Sequence, residues 1–140
     1  MGKPLNQQVV VISGAASGIG RASAKRFAAG GARVVVGARS ASGVAAILQD
    51  IKDAGGQAVG MEMDVSHRDQ VEALAALAIQ TYGRIDTWVN NAGVSIYSRF
   101  EDVTEEEVRR LFDVNFMGQM YGMWTALPLL RQNGGGLPPR

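Results

Sequence analysis

The chain has 140 residues, 46% of them hydrophobic and 18 of them Gly, with a formal net charge of +1 and no Cys. Such a length and apolar content suit one globular domain with a real core, not a disordered or fibrous chain. The balanced charge argues against nucleic-acid and membrane-surface partners, and the lack of Cys excludes disulfides, thiol nucleophiles and thiolate metal sites. The first eight residues carry one Lys and no apolar core, unlike a signal peptide, and no apolar run reaches membrane-spanning length, so a cytoplasmic location is expected.

In chain order, the β-branched run Val9-Val10-Val11-Ile12 predicts a buried strand, and it leads into Ser13-Gly14-Ala15-Ala16-Ser17-Gly18-Ile19-Gly20. A helix follows from near Gly18, with Ile19, Ala22 and Phe27 on its apolar side and Gly30-Gly31 as its stop. Residues 33–37 form a second buried strand, and residues 41–54 a second helix with Val44, Ile47, Leu48 and Ile51 at helical spacing. A third strand over 58–63 ends at Asp64-Val65. Ser66 is expected to cap a third helix with Asp69 as its capping partner, and Val71, Leu74 and Leu77 or Ala78 make the stripe. Residues 85–90 form a fourth strand that runs into Asn91-Ala92-Gly93. Thr104-Glu105-Glu106-Glu107 is a capping box opening a long helix over 104–131. Its expected inward face carries Val108, Leu111, Phe112, Asn115, Gln119 and Gly122, and Gly118 and Gly122 invite a close neighbour.

Regular strand–helix alternation with short connections implies an α/β fold built on a doubly wound parallel sheet with right-handed crossovers. Ligands of such sheets sit beyond the carboxyl ends of the strands, at the switch point. Gly14, Gly18 and Gly20 follow G-x-x-x-G-x-G, which lets backbone N–H groups and a helix's positive end approach an anion, a diphosphate being the natural guest. The plainer alternative is a glycine-rich turn. An NAD site of this type carries an acid about 20 residues after the glycines. Here the second strand ends Gly37-Ala38-Arg39. A guanidinium fork suits a 2′-phosphate, so NADP(H) is favoured over NAD(H), unless Arg39 is merely a solvated loop residue. Asp64 either accepts from an adenine amino group or simply flanks its helix. A P-loop is the weaker, competing phosphate reading, since Arg21 and not Lys follows Gly20 and the glycine spacing is wrong. Asn115, an amide within an apolar stripe, needs a specific partner, either in a site or on neighbouring backbone.

Four motifs in this order, residues 13–20, Asp64-Val65, Asn90-Asn91-Ala92-Gly93 and Val114-Asn115, resemble the classical short-chain dehydrogenases/reductases over residues 8–132. The resemblance implies a Rossmann-type fold and an oxidoreductase that moves hydride between a nicotinamide and a secondary alcohol or ketone. Carried over by position, it implies that Gly14, Ser17, Gly18, Ile19 and Gly20 cradle the diphosphate and adjoining ribose, and that Arg39 selects the 2′-phosphate. Asp64 and Val65 then flank adenine, while Asn91, Ala92 and Gly93 lie along the nicotinamide-side ribose. Asn115 takes the place of the helix asparagine whose backbone holds a water in the proton relay. The long helix resembles the one the family pairs across a subunit interface, which implies a homo-oligomer.

The family's Tyr-x-x-x-Lys pair has no counterpart here, since Tyr82, Tyr97 and Tyr121 are followed four residues on by Asp86, Glu101 and Thr125. Its catalytic Ser, on the next strand, is missing as well. In place of that strand stands Asn133-Gly134-Gly135-Gly136-Leu137-Pro138-Pro139-Arg140, and prolines do not serve in an interior strand. The expectation is therefore an N-terminal fragment, cofactor domain 1–132 with tail 133–140, truncated after about four strands and the long helix, inactive alone. The alternatives are a non-catalytic NADP-binding subunit or the product of a truncated gene. Either way the fourth strand is expected as an open, association-prone sheet edge, with helix residues Phe116, Met120, Met123 and Trp124 short of cover.

Overall fold

Four extended stretches form one parallel sheet in the computed structural model, which describes residues 3–133. These are β1 (Val9–Ser13), β2 (Arg33–Ala38), β3 (Gln57–Glu62) and β4 (Thr87–Val89), side by side in the order β3-β2-β1-β4. The tail residues 134–140, including Pro138 and Pro139, lie outside the described residues.

Strand alternation divides the core between the two faces of the sheet. Val10 and Ile12 of β1 pack with Ala24, Ala28, Ile47 and Ile51 from α1 (Gly18–Ala29) and α2 (Ala41–Asp53). Val9 and Val11 point the other way and pack with Val71, Leu74 and Ala78 of α3 (Arg68–Tyr82). Each fully buried Val or Ile contributes about 1.5–3 kcal/mol, so β1, buried along its whole length, anchors the fold. The chain winds outward through β2 and β3, then returns to place β4 on the opposite side of β1. The crevice of such a sheet opens where the order reverses, at the carboxyl ends of β1 and β4.

Several local expectations are corrected. β4 is shorter than the expected 85–90 because Ile85 is drawn wholly into the core and Asp86 is diverted to the start of β1. β4 pairs with β1 alone, and its other side is an edge among the described residues. Ser66 does not cap α3: His67 holds that position without a side-chain bond, and the Ser66 hydroxyl donates instead to Asp64.

The long helix is interrupted. The Thr104–Glu107 capping box forms as expected, opening α4 (Glu105–Phe112), but a π turn over Asp113–Met117 precedes α5 (Gly118–Gln132). The buried residues recur every four positions as Val114, Gly118, Gly122 and Ala126. Val108 and Phe112, expected inward, are exposed together with Phe116, Met123, Trp124 and Leu127. The small residues decide the face, because only they let the helix lie against the sheet rim: a Cβ at Gly118 would stand 2.7 Å from Val65 Cγ2. Met120 is half-buried.

Candidate functional site

β1 ends in a turn that excludes side chains. Gly14 has φ +70°, and a Cβ there would lie 2.7 Å from Ala92 Cα. Gly20, one turn into α1, is packed just as tightly against Gly14 O and Asn91 Nδ2. Asn91 occupies the space so kept: its Nδ2 donates to Ser13 O at 3.2 Å and to Gly14 O at 3.0 Å. The Asn91 N–H donates to Ser13 Oγ at 3.2 Å, and that hydroxyl donates to Val89 O at 3.4 Å. A hydroxyl at Ser13, 3% exposed, thus ties the ends of β1 and β4 together by accepting and donating at once.

Above this joint lies a cleft of about 730 Å³. The turn residues Gly14, Ser17, Gly18 and Ile19 form one wall, and Ile19, expected to pack inward, is instead 79% exposed at the rim. Ser17 makes no capping bond and α1 has no acid in its first turn, so the helix's opening N–H groups meet the cleft uncompensated. Ala38 at the end of β2, with Arg39 and Ser40 after it, forms the second wall. Arg39 is exposed and makes no hydrogen bond or ion pair among the described residues. Asp64 and Val65 after β3 form the third, and Asn91, Ala92 and Gly93 after β4 complete the enclosure.

Of the expected site residues, all line the cleft except Gly20, beneath the turn, and Asn115, behind the β4 loop. Asn115 Oδ1 accepts from Val94 N–H and its Nδ2 donates to Val94 O, both at 2.8 Å. Its side chain therefore finds the backbone partner that its apolar setting demands. The π turn, in which Gly118 N–H reaches back to Asp113 O, brings Asn115 opposite Val94 while keeping Val114 buried.

Arg110 is not among the expected site residues. From α4 its Nη2 donates to Asp64 Oδ2 at 2.7 Å and its Nη1 to Ser66 Oγ at 2.8 Å, and it too lines the cleft. Burial pushes the Asp64 carboxyl up, but Arg110 and the Ser66 N–H and hydroxyl outweigh it and hold the group at about 2. Arg110 stands four residues before the buried Val114, so the inward stripe, had it been placed correctly, pointed to it. Tyr97, 97% exposed at the cleft mouth, was missed too and carries no periodic signal. Among the described residues no helix is long and apolar enough to cross a membrane, and no His, Asp and Glu gather as a metal cluster.

This arrangement puts a side-chain-free turn, an exposed guanidinium, a fixed carboxylate and a backbone-lined mouth around one cleft. The family model described as short chain dehydrogenase matches residues 8–137. An uncharacterised oxidoreductase of Bacillus subtilis is 42% identical over 136 residues, which are 97% of this chain and 38% of that protein. The crystal structure of a short-chain dehydrogenase/reductase from Burkholderia phymatum in complex with NAD superposes with a TM-score of 0.91 at 30% identity, over 96% of this chain and 48% of that one. An alcohol dehydrogenase from Thermococcus sibiricus complexed with 5-hydroxy-NADP gives 0.85 at 32%, over 91% and 55%. The chain thus spans about half, or less, of the length of the relatives it matches.

Proposed function

The chain belongs to the short-chain dehydrogenase family, and on that premise we propose that its cleft holds NADP(H) as the cofactor half, residues 1–132, of a cytoplasmic oxidoreductase acting on a small secondary alcohol or ketone. The uncompensated start of α1 beside an Arg39 without an ion-pair partner among the described residues, across a side-chain-free turn, is the observation that carries this reading. Gly14, Ser17, Gly18, Ile19 and Gly20 hold the diphosphate and adjoining ribose, Asp64 and Val65 flank adenine, and Asn91, Ala92 and Gly93 border the nicotinamide ribose. The bound nicotinamide supplies the hydride chemistry.

The phosphate preference rests on this chain's own residues, since the matched structures include one with NAD and one with 5-hydroxy-NADP. No carboxylate ends β2, and the one carboxylate lining the cleft among the described residues, Asp64, is engaged by Arg110. Arg39 is left to hold a 2′-phosphate, with the N-terminus of α2, which has no acid in its first turn, alongside.

Asn115 keeps the β4 loop in place through Val94 and offers its backbone to a relay water. These 140 residues hold no Tyr-x-x-x-Lys, so a developing alkoxide finds no general acid and the chain by itself binds cofactor without turnover. The exposed stripe Val108, Phe112, Phe116 and Leu127 favours association with a second copy along α4 and α5. A non-catalytic NADP-binding subunit is the second reading, supported by the same stripe and the open β4 edge. Titrating the chain with NADPH, following cofactor fluorescence, tests the proposal. Saturable binding with no ketone reduction is expected, and no binding by a folded chain refutes it.

A further inference from the structure

We propose that Arg110 is a positioning residue for base recognition, holding Asp64 so that the cleft selects a 6-amino purine over a 6-oxo purine. The inference rests on the reading of the cleft as a dinucleotide site. Asp64 Oδ1 accepts from the Ser66 N–H at 2.9 Å and from the Ser66 hydroxyl at 2.7 Å. Its Oδ2 accepts from Arg110 Nη2 at 2.7 Å, while Arg110 Nη1 donates to Ser66 Oγ at 2.8 Å and closes a three-residue ring. An ionised carboxylate has about four acceptor sites. Three are filled here, and the fourth, on Oδ2, belongs to a residue that lines the cleft. That site accepts from an exocyclic amino group and repels a carbonyl oxygen.

Arg110 does two things that Ser66 does not. It fills one of the two acceptor sites on Oδ2, so that the remaining one has a fixed direction, and it does so with a charge-assisted hydrogen bond. It also comes from α4, 46 residues along the chain from Asp64, so the reader of the base is set by a helix whose opposite face is exposed. Of the other charged groups on α4, Arg109 pairs with Glu105, and Glu107 is taken by the Thr104 cap.

The test titrates the 140-residue chain with NADPH or NADH, whichever the wild type binds more tightly, and with the corresponding hypoxanthine dinucleotide. Wild type is expected to prefer the adenine form by about tenfold, the worth of one charge-assisted hydrogen bond. In Arg110→Met the preference falls to about twofold, almost wholly through weaker binding of the adenine form. Arg110→Lys, which keeps a cation for Oδ2, recovers most of it. Arg110→Leu, which likewise removes every donor to Oδ2, behaves like Arg110→Met and serves if that variant does not fold. Equal weakening of both dinucleotides, with the preference intact, is what a purely structural role gives and overturns the inference alone. Failure of folded wild type to bind any of them overturns the dinucleotide reading and the inference with it.

Discussion

Asp86→Asn isolates the joint at the start of the sheet. The Asp86 side chain is 9% exposed and accepts from Lys3 Nζ at 2.9 Å and from the Arg84 fork at 2.7–3.1 Å. Its Oδ2 also takes the N–H of fully buried Val9 at 2.9 Å, while its own N–H donates to Val9 O. Burial pushes this carboxyl up, but Arg84, Lys3 and the Val9 N–H prevail and lower it from 3.8 to about 2. At 1.36 kcal/mol per pH unit, ionised Asp86 stabilises the fold by about 2 kcal/mol at neutral pH. Because the folded value is the lower one, this stabilisation is complete above about pH 5 and is lost as pH falls through 4 towards 2, with about half gone by pH 3. Urea unfolding followed by Trp fluorescence, at two protein concentrations to remove association, measures it, with Trp88 on adjacent β4 as reporter. The variant is expected to trail wild type by about 2 kcal/mol at pH 7 and by about 1 kcal/mol at pH 3. Equal stabilities at pH 7, or a gap unchanged between the two pH values, refutes the reasoning.

Other perturbations reach the cleft. Arg39→Glu is expected to weaken NADPH at least tenfold in fluorescence titration while NADH stays within about threefold, a split that general damage does not produce. Gly14→Ala must adopt φ +70° with its Cβ 2.7 Å from Ala92 Cα. It is expected to lose roughly 2–4 kcal/mol in urea unfolding, and cofactor binding with it. Asn115→Ala leaves the Val94 N–H and carbonyl without their partner; about 2 kcal/mol of stability goes, and Val94 amide exchange accelerates before that of β1. Phe112→Ser with Phe116→Ser, on the exposed helix stripe, is expected to shift the chain towards monomer in sedimentation velocity without lowering its urea midpoint.

The amino-acid order by itself determined the strand–helix alternation, the glycine turn after β1, the Thr104–Glu107 cap and the family. Each of these is local: apolar periodicity, backbone freedom at glycine and end-of-helix hydrogen bonds depend on residues within a turn or two. It also marked most of the residues that meet at the cleft, because in a parallel sheet every strand ends on the same side. Tertiary structure decided what depends on distant pairs. The inward face of α4 and α5 was set by how closely Gly118 and Gly122 approach Val65 and Asn90, not by which residues are most apolar. The π turn at Asp113–Met117 followed from satisfying Asn115 and Val114 together. Arg110 on Asp64, and Asp86 on Val9, join residues 46 and 77 positions apart, and no local pattern says which distant group each will meet.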